Sequence, residues 1–112
     1  MTLSDKQWEF LKDVSCLIQY ADRIGIKLTG GELYRPQLMQ QYYFDNNLSK
    51  TLNSDHGNRL AIDFNFFSDQ TVIDKGILID LLALYWKDLH PNNYWGGDYK
   101  TIDDPYHFGR KK

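Results

Sequence analysis

The chain has a single cysteine, Cys16, so no intramolecular disulfide can brace it. Cys16 falls in an apolar-periodic stretch and reads as a small buried hydrophobe rather than a nucleophile. Long apolar runs are missing too: none approaches the ~18 residues of a membrane span, so no membrane insertion is expected. The opening Met1-Thr2-Leu3-Ser4-Asp5-Lys6 lacks a basic region followed by an apolar core, so the expected product carries no signal peptide. Charge of one sign is scarce. The net charge is −2, and the only dense basic run is Arg110-Lys111-Lys112. That run falls short of the broad basic face of a nucleic-acid binder and reads as a solvated end. Repeats, low-complexity tracts and linkers are also lacking, which leaves one domain over 1–112.

Aromatic residues are plentiful. Three Trp, eight Tyr and six Phe in 112 residues, within a 42% hydrophobic composition, are enough to pack a single core. Ser4-Asp5-Lys6-Gln7 has the pattern of a capping box, with Ser4 as N-cap. Trp8, Leu11, Val14, Leu17, Ile18, Ala21 and Ile24 then recur at helical spacing, and Gly25 ends the helix. Residues 26–28 form a short strand candidate, with a second strand end at Leu33-Tyr34-Arg35. Pro36 opens a short helix to about Phe44, and 45–53 reads as a surface loop. Leu60, Ile62, Phe64 and Phe66 alternate with Ala61, Asp63, Asn65 and Phe67, which predicts a strand with Asp63 off the main apolar face. Asp74 caps a second strong helix carrying Ile77, Leu78, Leu81, Leu82, Leu84 and Tyr85 and ending near Leu89. Short extended pieces follow. The order predicts an α+β fold: a small, mainly antiparallel sheet packed with two main helices.

Two segments carry chemistry: Ser54-Asp55-His56-Gly57-Asn58-Arg59-Leu60-Ala61-Ile62-Asp63 and Asp104-Pro105-Tyr106-His107. Two His and one carboxylate make a zinc set with an open fourth position, the pattern of a catalytic rather than a structural site. Ligand atoms on one zinc lie only about 3–4 Å apart, so the chain between His56 and Asp63 must fold back, and Gly57-Asn58 offers turn chemistry there. Asp104-Pro105 favours a β-turn that brings Asp104 beside His107. Spacing alone leaves a plainer reading open, in which His56 and His107 are surface residues and Asp63 a strand carboxylate with its own partners.

Ser54-x-His56-x-x-Arg59-x-Ala61-x-Asp63 resembles the zinc motif of the D-alanyl-D-alanine carboxypeptidase and L-alanyl-D-glutamate endopeptidase family, to which many phage endolysins belong. Trp95-Gly96-Gly97-Asp98-Tyr99, followed by Asp104-x-x-His107-Phe108, resembles its closing motif. The chain departs from the pattern at Arg59, where the wider family has Gly, and at Tyr99, where Trp is common. The resemblance implies a hedgehog-like, carboxypeptidase-type α+β fold. It implies one zinc ion on His56, Asp63 and His107, with Asp104 as the catalytic carboxylate. The substrate implied is bacterial peptidoglycan peptide, cut as an L-alanyl-D-glutamate endopeptidase in phage-type lysis. Such a product is made in the host cytoplasm and acts on the cell wall after release through a holin or another system. A monomer is expected, and the basic tail would favour an anionic wall.

Further roles follow as expectations. Arg35 is a candidate clamp for an oxyanion or a substrate carboxylate, because guanidinium offers a fork of donors, and Arg59 competes for that role. Ser54 either bonds substrate or braces the ligands from behind. His90 before Pro91 reads as a helix-end residue outside the site. Trp86 reads as core, and Trp95 and Tyr99 as packing beneath the site. The alternatives are a D-alanyl-D-alanine carboxypeptidase, a zinc-stabilised wall-binding domain without turnover, and a zinc-free interaction domain.

Overall fold

Thr2, rather than Ser4, caps the first helix in the computed structural model, which describes every residue except Lys50, Leu52 and Thr101. The Thr2 hydroxyl accepts from the Asp5 N–H at 3.1 Å, and the Asp5 carboxylate accepts from the Thr2 N–H at 3.0 Å. The helix, α1, runs Leu3–Arg23, and Gly25 follows it at φ +85°, a conformation that favours glycine. Its buried stripe is Phe10, Val14, Leu17 and Ala21, while Trp8, Leu11 and Ile18 are exposed. Two apolar stripes overlap on this helix, and the one that meets the Trp86 ring edge-on through Phe10 faces inward. Cys16 is half-buried at the border of that stripe.

Among the described residues, five strands form one antiparallel sheet: β1 (Ile26–Gly30), β2 (Ala61–Ser68), β3 (Thr71–Ile73), β4 (Asn93–Trp95) and β5 (His107–Arg110). The order is β1-β2-β5-β4, with β3 also pairing β2. The expected strand end at Leu33–Arg35 does not form. The Arg35 N–H donates instead to the His56 carbonyl at 3.1 Å, so this segment wraps the turn that carries His56. Strand β3 is the unexpected element. It returns from β2 through a tight turn in which Asp69 takes a positive φ of 48° without the glycine that would have signalled it.

Helix α2 spans Gln37–Asp45 behind Pro36, as the proline predicts. The expected loop 45–53 keeps only Asp45 in that helix; within it, Lys50 and Leu52 lie outside the described residues. Helix α3 spans Ile77–Leu89 and starts from Gly76 at φ +128°, not from Asp74. None of the described helices is long and apolar enough to cross a membrane.

Helices α1 and α3 cover one face of the sheet, where Phe64 and Phe66 of β2 and Phe108 of β5 meet Phe10 and Trp86. Trp86 is fully buried, as expected, and its indole N–H donates to the carbonyls of Tyr94 and Gly109. The basic tail is not wholly a solvated end. Arg110 belongs to β5, is only 3% exposed, and pairs with Asp13 of α1 while donating to Asn93 Oδ1 at 2.8 Å. Strand alternation sends Phe108 and Arg110 into this core and leaves His107 and Gly109 on the opposite face.

Candidate metal centre

On that opposite face Asp63 and His107 are register partners across β2 and β5. Position 63 is also where β2 changes neighbours. Its N–H donates to the Glu32 carbonyl and its carbonyl accepts from Gly31, while the next N–H, of Phe64, goes to Tyr106. Gly31 passes so close that a Cβ there would touch the Asp63 backbone at 3.0 Å.

His56 arrives from a 3₁₀ helix, Asp55–Asn58, capped by Ser54, whose hydroxyl accepts from the His56 N–H at 3.2 Å. The fold-back expected between His56 and Asp63 is therefore real, but Gly57-Asn58 does not make it alone. Arg59 closes the turn in the left-handed region at φ 56°. This gives a physical reason for glycine at the matching position of the family whose motif this segment resembles. The Arg59 guanidinium lies 4.2 Å from the centre of the Tyr34 ring, a cation–π contact that offsets part of the strain. It borders a separate apolar hollow with Trp8 and Leu11.

Three donor atoms converge. His56 Nε2 and His107 Nδ1 stand 3.3 and 3.5 Å from Asp63 Oδ1, and all three lie within 4.8 Å of one another. His56 Nδ1 is 2.8 Å from the Leu33 carbonyl, which can only accept. The ring proton therefore sits on Nδ1, and Nε2 turns a lone pair toward the centre. His56 Nε2 and Asp63 Oδ1 are buried without a hydrogen-bond partner. Buried polar atoms left unpaired are costly, and a divalent cation would satisfy both at once. Spacing, donor type and tautomer together fit zinc.

The electrostatics agree. Burial would raise the Asp63 carboxyl, but the His107 and His56 rings together hold it at about 2. Burial would lower His56, yet the Asp63 carboxylate outweighs it and the ring is raised above 6.5.

Asp104 lines the same groove as His56 and His107, with Ser54, Arg35 and Tyr99. The Asp104-Pro105 turn is present, closed by the His107 N–H donating to the Asp104 carbonyl at 3.2 Å. Trp95 braces it from below, its indole N–H bonding the Pro105 carbonyl at 2.8 Å. Gly96 lets the turn approach, since a Cβ there would meet the Asp104 carbonyl. Burial, then the negative charge of Asp63, raises the Asp104 carboxyl above its ordinary value. Asp103 is exposed outside the groove.

Arg35 stands in the groove wall, but its fork is engaged: Nε donates to Glu32 at 2.6 Å and Nη1 to Gln40 at 2.7 Å. Tyr99 is 42% exposed along the groove, so it is a lining residue and not packing beneath the site. His90 caps α3 away from the groove; its Nδ1 accepts from the Asn92 N–H. Sequence reasoning missed Tyr94 and Asp55. The Tyr94 hydroxyl lies 3.1 Å from His107 Nε2 and donates to Asp55 at 2.5 Å. No His, Cys or acidic spacing announces a phenol brought in by strand register.

No family model and no curated protein matches the chain. Solved structures that share its fold include two peptidases. The L-Ala D-Glu endopeptidase ChiX of Serratia marcescens is 23% identical, with a TM-score of 0.69 over 89% of this chain and 79% of its own. A mutant of the vancomycin-resistance D,D-pentapeptidase VanY, in complex with Zn(II), is 16% identical, with a TM-score of 0.63 over 90% of this chain and 70% of its own. The α+β fold expected from the sequence is thus the carboxypeptidase-type fold that these two peptidases share.

Proposed function

We propose that this chain is a single-domain zinc peptidase of bacterial peptidoglycan peptide, with His56, Asp63 and His107 holding the metal. The observation that carries the reading is the convergence of those three donors, two of them buried and unpaired, in one groove with the Asp104 carboxyl. Bound zinc supplies Lewis acidity: it lowers the pKa of a water toward ~7 and polarises a carbonyl.

The chain's own residues supply the rest. Asp104 accepts the proton of the attacking water and returns it to the leaving amine, a task for which a raised carboxyl is suited. Ser54 orients His56 through its backbone and faces the groove. Arg35 is the cation of the groove wall; seating a substrate carboxylate or an oxyanion there means exchanging its Glu32 or Gln40 partner. The stacking of Arg59 on Tyr34, apart from the groove, favours Arg35 for that role.

The likeness to an L-Ala D-Glu endopeptidase favours endopeptidase action, and the motif resemblance to phage endolysins favours its use in phage-type lysis, as a monomer released to the wall. The likeness to VanY keeps D-alanyl-D-alanine carboxypeptidase action as the second reading. Asp104 speaks against a wall-binding domain without turnover, because a structural zinc needs no carboxyl beside an open position. Digestion of purified peptidoglycan, with and without chelator, tests all three. Endopeptidase action exposes new D-glutamate amino termini, whereas carboxypeptidase action releases D-alanine. Neither product from the zinc-loaded protein would overturn the enzyme reading.

A further inference from the structure

We propose that Tyr94 is a positioning residue for His107, acting as a relay from Asp55, and that this relay sets the affinity of the site for its metal. The inference rests on the zinc reading above. A phenol has one proton to give. The Asp55 carboxylate, 2.5 Å away, only accepts, so the proton points there. The Tyr94 oxygen is then left to accept from His107 Nε2, 3.1 Å away. This holds the ring proton on Nε2 and frees the lone pair of Nδ1, the atom that faces Asp63 Oδ1 at 3.5 Å. Without the hydroxyl, a neutral imidazole could carry its proton on either nitrogen, and only one of those forms binds metal through Nδ1.

The arrangement is built into the backbone. Tyr94 of β4 and Gly109 of β5 are register partners. A Cβ on Gly109 would stand 2.4 Å from Tyr94 Cζ and 2.5 Å from its hydroxyl oxygen, so glycine is what lets the ring lie along β5 toward His107, two residues earlier. At the other end, Asp55 opens the 3₁₀ helix whose next residue is His56, and its carbonyl is fixed by the Leu60 N–H at 2.9 Å. The relay therefore ties the strand bearing one histidine to the turn bearing the other. Hydrogen bonds to the distal nitrogen of a metal-bound histidine orient the ring and raise its basicity. Here the hydroxyl stands between the imidazole and the carboxylate.

The test is zinc affinity, measured by competition with a chromophoric chelator on the wild type, Tyr94→Phe, Asp55→Asn, Asp55→Ala and the Tyr94→Phe/Asp55→Ala double variant. Phenylalanine keeps the ring over Gly109, and the unfolding midpoint of each metal-free variant reports any loss of packing. Tyr94→Phe should bind zinc about ten- to a hundredfold more weakly. Asp55→Asn, whose amide oxygen still accepts from the phenol, should retain more affinity than Asp55→Ala. The double variant should bind no more weakly than Tyr94→Phe alone, because one pathway is being cut twice. Wild-type affinity in Tyr94→Phe, or additive losses in the double variant, would overturn the relay while leaving the metal site intact. A wild-type chain that takes up no zinc would overturn the metal reading, and this inference with it.

Discussion

Asp63 and His107 face each other across β2 and β5, so a carboxylate and an imidazole more than forty positions apart share one register pair. His56 closes the triangle from a turn, and its buried Nε2 makes the trio sensitive to protons.

Stability of the chelator-treated protein should follow those protons. Asp63 is held at about 2 against an ordinary 3.8, so its contribution is present above roughly pH 4 and lost as pH falls toward 2. His56 is raised above 6.5, so its contribution is present below that value and fades as pH climbs through the raised one. Melting temperature without metal should therefore be greatest between roughly pH 4 and 6.5. Zinc would compete with a proton for His56 Nε2, so the gap between zinc-loaded and chelated protein should widen above that window. A gap that narrows from pH 6 to 8 would count against the assignment.

Asp104→Asn and His56→Ala should part company. The first should retain about one zinc per chain while turnover drops by roughly 10²–10⁴-fold. The second should lose the metal and the activity together. Metal content and muropeptide release, measured on the same preparations, check both. Full turnover in Asp104→Asn would end its role as the proton acceptor.

Much of this was legible from residue spacing because the informative segments are short and local. Asp104-Pro105 makes its own turn, and the alternation from Leu60 to Phe67 specifies the strand that carries Asp63. The two ends of α3 were unequally legible: the end at Leu89 was plain, but the start at Gly76 was hidden behind Asp74, a better-looking cap. The missed features depend on contacts between distant parts of the chain. Arg35 turns its backbone to His56, Arg110 is drawn into the core by Asp13, and Tyr94 reaches His107 only because Gly109 sits opposite. None of these pairings leaves a mark in the local pattern.

At Arg59 the backbone, not the charge, should prove decisive. Its φ of 56° suits glycine, so Arg59→Gly should change stability by less than about 1 kcal/mol, lost ring stacking offsetting relieved strain. Arg59→Val, β-branched in the same conformation, should cost more, on the order of 1–3 kcal/mol. Urea unfolding of the pair decides it. Peptidoglycan turnover should be unaffected by the glycine, whereas a large rise in KM would restore Arg59 as a substrate clamp.

Arg110 should behave as part of the core and not as a tail. Replacing it with Ala strands the Asp13 carboxylate and Asn93 beneath α1, at a cost of about 3–5 kcal/mol in unfolding free energy. The neighbouring Lys111→Ala, exposed, should change little. Equal midpoints for the two variants would refute the distinction.

The change of neighbours at Asp63 has a mechanical consequence. One rim of the groove, with Arg35, continues from β1, and the other, with Asp104 and Tyr99, hangs from β5; both are fastened to β2 on either side of a single residue. A cation gripping that residue and one anchor from each rim would work as a rivet. Loading a metal there would set the width of the cleft as well as its chemistry, and a chelated protein should be looser across the groove while its helical face stays rigid.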